Sequence, residues 1–152
     1  MKASVLSKVA VATAYFFATA VSAPLASETA LASEKRAFNL CEDSTFVDES
    51  SGGSPLASDC EQMWRNNNKW PFHELTLGVE RRLLEWGTCA FSATAVATPI
   101  LDNIWWTNIG DEDITDLVRD SISKFTRNGR VGARGRAQCY EDTAIDWRIH
   151  HT

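Results

Sequence analysis

The chain is poor in cysteine, proline and methionine, with four, four and two of each in 152 residues, and none of its cysteines precedes Cys41. No C-x-x-C pair occurs, which excludes zinc knuckles and the usual dithiol redox motif. The His-Glu-x-x-His zinc motif and the Gly-x-Ser-x-Gly elbow of serine hydrolases are also missing. No Asn-x-Ser/Thr sequon is present, so N-glycosylation is not expected. The longest uncharged apolar run, Val9 to Val21, is 13 residues. That is short of the roughly 20 needed to cross a bilayer, and no apolar tail follows Trp147 to suggest a lipid anchor.

What is present begins with the leader. Lys2 and Lys8 precede the apolar run, and small residues follow it at Ala18-Thr19-Ala20 and Val21-Ser22-Ala23. This is the pattern of a secretory signal peptide spanning 1–20, with its end between 20 and 23. The polar stretch 21–36 has no apolar periodicity and ends in Lys35-Arg36, a dibasic pair suited to a processing protease. A secreted, extracellular domain over 37–152 is therefore expected. It contains all four cysteines and all six tryptophans, and carries 11 Lys and Arg against 18 Asp and Glu. A net charge of −7 argues against general nucleic-acid binding, which requires a basic face to displace counterions. The domain is expected to be free, soluble and monomeric.

Four cysteines in a secreted domain of this size predict two disulfides, with three possible pairings. The favoured pairing joins Cys60 to Cys89, a predicted helix to the next predicted strand, and Cys41 to Cys139. Loop closure gives about 3.6 kcal/mol for the inner bond and about 4.7 for the outer one.

The hydrophobic pattern places the elements. Ser54 as N-cap and Pro55 in the first turn predict a helix with Leu56, Cys60, Met63 and Trp64 on one face, fraying at Asn66-Asn67-Asn68. Extended segments are predicted over Phe72–Val79 and Trp86–Val96. A second helix starts with Asp111 as its cap, followed by Glu112 and Asp113. It buries Ile114, Leu117, Val118, Ile122 and Phe125, and pairs Asp116 with Arg119 and Asp120 with Lys124 on its wet face. Gly129 is expected to stop it. At the end of the chain Ile145, Trp147 and Ile149 alternate with Asp146, Arg148 and His150, a half-buried strand. The whole reads as α+β: a small antiparallel sheet with two helices packed on one face and two disulfides.

Chemistry-bearing residues are sparse. His73-Glu74 lacks a second histidine, since Leu77 occupies that position. Asp111, Asp113 and Thr115 echo a calcium loop, but Asp116 replaces the required glycine. His73, Glu74 and His150 with an arginine could serve a secreted ribonuclease, yet no spacing selects them. No catalytic, cofactor or metal residues are assigned, and a non-enzymatic role is expected. Candidate interface residues are Arg127, Arg130, Arg134 and Arg136, interleaved with Gly129, Gly132 and Gly135, together with Trp105 and Trp106. The arginine segment reads as a solvated turn or as a flexible cationic patch for an anionic partner or lipid. Of the adjacent indoles, one must face outward on a strand.

Several blocks carry a resemblance. They are Cys41 with Ser44-Thr45-Phe46, Ser54-Pro55, Asp59-Cys60, Gly87-Thr88-Cys89-Ala90-Phe91, Asp113-Ile114, Asp116-Leu117-Val118-Arg119-Asp120-Ser121-Ile122, Gly129-Arg130-Val131-Gly132-Ala133, Cys139 and Ile145-Asp146-Trp147. In this order they resemble the fungal extracellular-protein-two effector family, whose domain is also called the necrosis-inducing factor domain. The likeness runs from Cys41 to Ile149 and departs at Ser92, where the family pattern has glycine. It implies a fold similar to small α/β killer toxins. It also implies a secreted virulence effector acting on a host target, protein or membrane, with host necrosis as the outcome. The alternative is an antifungal, toxin-like protein aimed at microbes.

Overall fold

The computed structural model describes residues 38–67, 71–98, 105–139 and 143–152. The predicted signal peptide, the propeptide and Lys35-Arg36 lie outside the described residues, as do Asn68 and Trp70.

Among the described residues ten elements follow one another: β1 (Cys41–Ser44), β2 (Val47–Asp48), α1 (Ala57–Arg65), β3 (Phe72–Thr76), β4 (Arg81–Trp86), β5 (Cys89–Val96), β6 (Trp106–Gly110), α2 (Asp111–Phe125), β7 (Ala133–Cys139) and β8 (Thr143–His151). Five strands form a ladder in the order β1-β7-β8-β5-β4, with β2 also paired to β7, and β3 and β6 form a separate pair. Every named pair is antiparallel. Both helices share one core with the larger sheet, so the α+β expectation holds.

That core is built by alternation. Ile145, Trp147 and Ile149 point inward from β8, with Phe91, Ala93 and Ala95 beside them on β5 and Ala133 and Ala137 on β7. Cys60 and Met63 of α1 and Ile114, Leu117 and Val118 of α2 close over them. The Trp147 indole stacks on Phe91 at 6.2 Å, meets Phe46 edge-on at 5.3 Å, and donates its Nε1–H to Ser44 Oγ at 2.8 Å. A buried indole needs that partner, because an orphaned N–H would cost desolvation energy. Gly135 stands directly opposite Trp147. A Cβ there would fall 2.7 Å from the indole and 1.8 Å from the Thr45 carbonyl. Close approach, and not flexibility, explains this glycine.

Both predicted disulfides are present, Cys41–Cys139 and Cys60–Cys89. Cys41 and Cys139 are register partners on β1 and β7. Around the second bond, Asp59 of α1 accepts from the Thr88 backbone N–H at 2.8 Å and its hydroxyl at 2.7 Å, tying the helix to the Gly87-Thr88 turn. These bonds hold the Asp59 carboxyl below its usual range.

Four expectations are corrected. Helix α1 begins at Ala57 with Leu56 as N-cap. Ser54 turns the other way, accepting from Ser51 N–H and bonding the Glu49 carbonyl, while the Leu56 N–H donates to Thr88 Oγ1. The segment Trp86–Val96 is not one strand but the end of β4, a two-residue turn and β5. Arg81–Trp86 conceals its period because a register shift between Arg82 and Leu84 breaks alternation. Helix α2 is capped by Gly110, leaving Asp111 inside the first turn. It ends at Phe125, ahead of Gly129. Gly129 instead follows Asn128 in a tight turn, with φ of 74° and 49°, between Arg127 and Arg130. Two successive positive φ values are the mirror-image turn that Asn-Gly favours.

Candidate functional site

The face of the large sheet turned away from the helices carries the chemistry. Alternation sends Ser92 and Thr94 of β5, Asp146 and Arg148 of β8, and Arg134 and Arg136 of β7 to this side. Register aligns them in two rows. Arg82, Ser92, Arg148 and Arg134 form one across β4, β5, β8 and β7; Thr94, Asp146 and Arg136 form the next. With the exception of Arg82, they line a groove of about 390 Å³ together with Thr45, Val47 and Glu80.

Each guanidinium in the groove holds a carboxylate. Arg136 forks onto Asp146 with Nε–Oδ1 at 2.7 Å and Nη2–Oδ2 at 2.9 Å. That pairing raises the Arg136 pKa above its ordinary value, by hydrogen bonding first and charge second. Arg148 places Nε and Nη2 on one oxygen of Glu80, both at 2.7 Å. Arg134 Nε sits 2.6 Å from Glu49. All six side chains remain roughly half exposed. Beside Arg148, Ser92 Oγ meets His150 Nε2 at 2.8 Å, and His150 Nδ1 faces the His151 carbonyl at 2.8 Å.

The four predicted arginines therefore do not form one flexible loop. Arg134 and Arg136 are two residues apart on a central strand, facing the groove. Arg127 and Arg130 flank the Asn-Gly turn, where Arg127 pairs with Asp48 at 2.5 Å and Arg130 Nη1 donates to the Ser54 carbonyl at 2.6 Å. Arg148 and Ser92 are the groove residues that sequence reasoning missed. The alternation around Trp147 already put Arg148 on the wet side, but only the β7–β8 register shows that it faces Arg134.

The indoles of Trp105 and Trp106 lie apart, on and beside β6. Both are exposed, by 72% and 55%. Backbone bonding fixes them: Trp106 pairs with Thr76, and the Trp105 carbonyl accepts from Leu77 N–H at 2.9 Å.

The acidic start of α2 is occupied from within. The Asp111 carboxylate accepts from Phe38 N–H at 3.1 Å. Asp113 accepts from Leu40, Cys41 and Gly110 N–H groups at 2.9, 3.1 and 2.8 Å. Burial nonetheless pushes the Asp113 carboxyl up. Among the described residues no three His, Cys, Asp or Glu side chains converge to hold a metal ion. His73 is half-buried on β3; burial and then nearby Arg81 lower its pKa, against Asp111, and its Nε2 has no partner among the described residues. Its strand pairs with β6 and is not in the sheet that carries His150.

A family model described as "Hce2: Pathogen effector; putative necrosis-inducing factor" matches residues 40–139. Two curated relatives from Penicillium expansum are similar. The protein named "Probable chitinase LysM18" is 29% identical over 119 residues, covering 72% of this chain and 8% of its own length. The protein named "Secreted chitinase LysM12" is 28% identical over 127 residues, covering 76% and 8%. The chain thus spans less than a tenth of the curated relatives it matches.

Proposed function

The chain belongs to the Hce2 pathogen-effector family, and from that premise we propose that it is a secreted, non-enzymatic effector that triggers necrosis in host plant cells. The observation that carries this reading is the extent of the family match, 40–139, whose ends fall at the disulfide-joined strands β1 and β7. It includes most of the core and both stapled pairs. Secretion is supported by the two disulfides, which persist in oxidising compartments, and by a relative whose name describes it as secreted. The leader and dibasic site are read as a signal peptide and propeptide on sequence alone.

Infiltrating the purified disulfide-bonded domain, residues 37–152, into leaves tests the proposal. Local cell death that is lost on reduction and unfolding is the expected result. Full folding with no response in any host tissue would remove the necrosis reading.

A second reading, a toxin-like activity against other fungi, is favoured by one observation. The similar region in the curated relatives is a small part of proteins named as chitinases, so the module accompanies enzymes named for a wall polymer. Growth inhibition of competing fungi by the same preparation, without leaf necrosis, would select it.

A further inference from the structure

The two disulfides differ in what surrounds their sulfurs. Cys60 and Cys89 are fully buried where they join α1 to β5. Cys139 is 5% exposed, but Cys41 is only partly buried and sits on β1, an outermost strand of the large sheet. Cys41 also lines a second groove, of about 360 Å³, between β1 and α2. We propose that Cys41 is a thiol-exchange site. A small thiol, positively charged in preference to negatively charged, opens the Cys41–Cys139 bond there while the Cys60–Cys89 bond and the fold stay intact. The inference concerns how the molecule responds to thiols and does not depend on the host response it elicits.

The step is a displacement at sulfur. A thiolate enters the groove and attacks Cys41 Sγ, forming a mixed disulfide and releasing Cys139 as a thiolate that takes a proton from water. A second thiolate attacks the outer sulfur of the mixed disulfide and displaces Cys41. In balance, two thiols are oxidised to their disulfide and one protein disulfide is reduced to two thiols. Access decides which sulfur is attacked, and burial closes Cys60, Cys89 and Cys139 to the approach.

Charge selects the thiol. Glu42 and Asp43 follow Cys41 on β1, both exposed, and neither has an ion-pair partner among the described residues. Across the groove Asp116 and Asp120 are already matched, by Arg119 and Lys124. The unbalanced charge beside Cys41 is therefore negative, which repels an anionic thiol within a Debye length and draws in an aminothiol. The fold survives because β1 is held by more than sulfur. Asp113 accepts from the Leu40 and Cys41 N–H groups. The Thr45 N–H donates to the Arg136 carbonyl at 2.9 Å, and the Arg136 N–H donates to Thr45 Oγ1 at 2.9 Å. Phe46 stays against Trp147. Opening the bond thus leaves the two cysteines as register partners, placed to close again when thiol is withdrawn.

The purified, disulfide-bonded protein is treated under native conditions with cysteamine and, separately, with mercaptoethanesulfonate. Each rate is divided by that thiol's rate on a small neutral disulfide, which removes differences in thiolate fraction and nucleophilicity. Alkylation with peptide mapping identifies the opened bond, and near-ultraviolet circular dichroism reports the packing of Trp147. Cys41 and Cys139 are expected to be alkylated about tenfold faster, or more, than Cys60 and Cys89. The mixed disulfide is expected on Cys41, with the dichroism spectrum unchanged. The normalised rate is several-fold higher for cysteamine at low salt, and the ratio falls towards one at high salt. Glu42→Gln with Asp43→Asn, both at exposed positions, lowers the ratio at low salt. A bond opened only through global unfolding would not respond to charges beside one cysteine. Should that variant fail to fold, the salt dependence of the wild type decides alone. Opening of Cys60–Cys89 at an equal rate, a mixed disulfide on Cys139, or loss of the fold with the first bond would each overturn the proposal. So would equal normalised rates for the two thiols, or a folded variant that keeps the wild-type ratio.

Discussion

Residues 147 and 148 are adjacent on one strand and live in different worlds. Trp147 is sealed against Phe46, Phe91 and the glycine opposite it, with its only polar atom satisfied. Arg148 lies half in water, held by a single carboxylate that could be replaced. The inner face of this sheet is buried, and beside Trp147 it leaves no room even for a Cβ on Gly135. The outer face is built from exchangeable contacts, and that freedom lets a surface be altered without losing the fold.

The sharpest way to break the contrast is to shrink the inner residue. Trp147→Ala is expected to cost about 3–5 kcal/mol, since it leaves a cavity beneath both helices; denaturant titration measures it. Close behind is the staple from α1 to β5. Cys89→Ser should cost on the order of 2–5 kcal/mol and abolish activity through misfolding, read out as a fall in the thermal midpoint. Next comes the carboxylate under the amino-terminal segment. Asp113→Asn puts amide hydrogens where three backbone N–H groups need an acceptor, and about 1–3 kcal/mol should be lost.

A smaller effect depends on pH. Because burial depresses the His73 pKa, the unfolded chain takes up a proton before the folded one does. Its contribution is therefore intact above about 6.5 and declines as pH falls through the lower folded value. Asp113, whose pKa is raised, works in the opposite direction, so the comparison must be made with His73→Gln, which should flatten the loss between pH 7 and 5. The smallest change is Arg148→Ser, which sharpens the contrast by shifting stability less than about 1 kcal/mol.

The sequence made some of this legible. Helix α2 was readable because its apolar positions recur without interruption and its wet face carries matched charges; the ion pairs Asp116–Arg119 and Asp120–Lys124 are where spacing put them. Strand β8 was readable because one face is solid core. Strand β4 was not, since it is an edge with a register shift and little buried surface to enforce a period. Ser54 and Asp111 misled as caps because Ser, Asp and Asn bond any nearby backbone group, and tertiary neighbours decided which one. The groove depends on strands β5, β7 and β8 lying side by side. No pattern within one segment encodes that register, so Arg134 and Arg136 were found while their neighbours Arg148 and Ser92 were not.

The strand order has a further consequence, for how the molecule comes into being. Strand β8 occupies the middle of the sheet, between β7 and β5, yet it follows both in the chain. During vectorial synthesis those two strands therefore emerge with one edge each unpaired and with Ile145, Trp147 and Ile149 of the core still to come. The bond between Cys60 and Cys89 joins residues 29 apart and can form on such a nascent chain. The bond closing β1 on β7 spans 98, and Cys139 precedes β8 by only a few residues. Pairing errors made before β8 arrives would trap the sheet open, so an isomerase acting late, after β8 has emerged, would matter more to yield than one acting early.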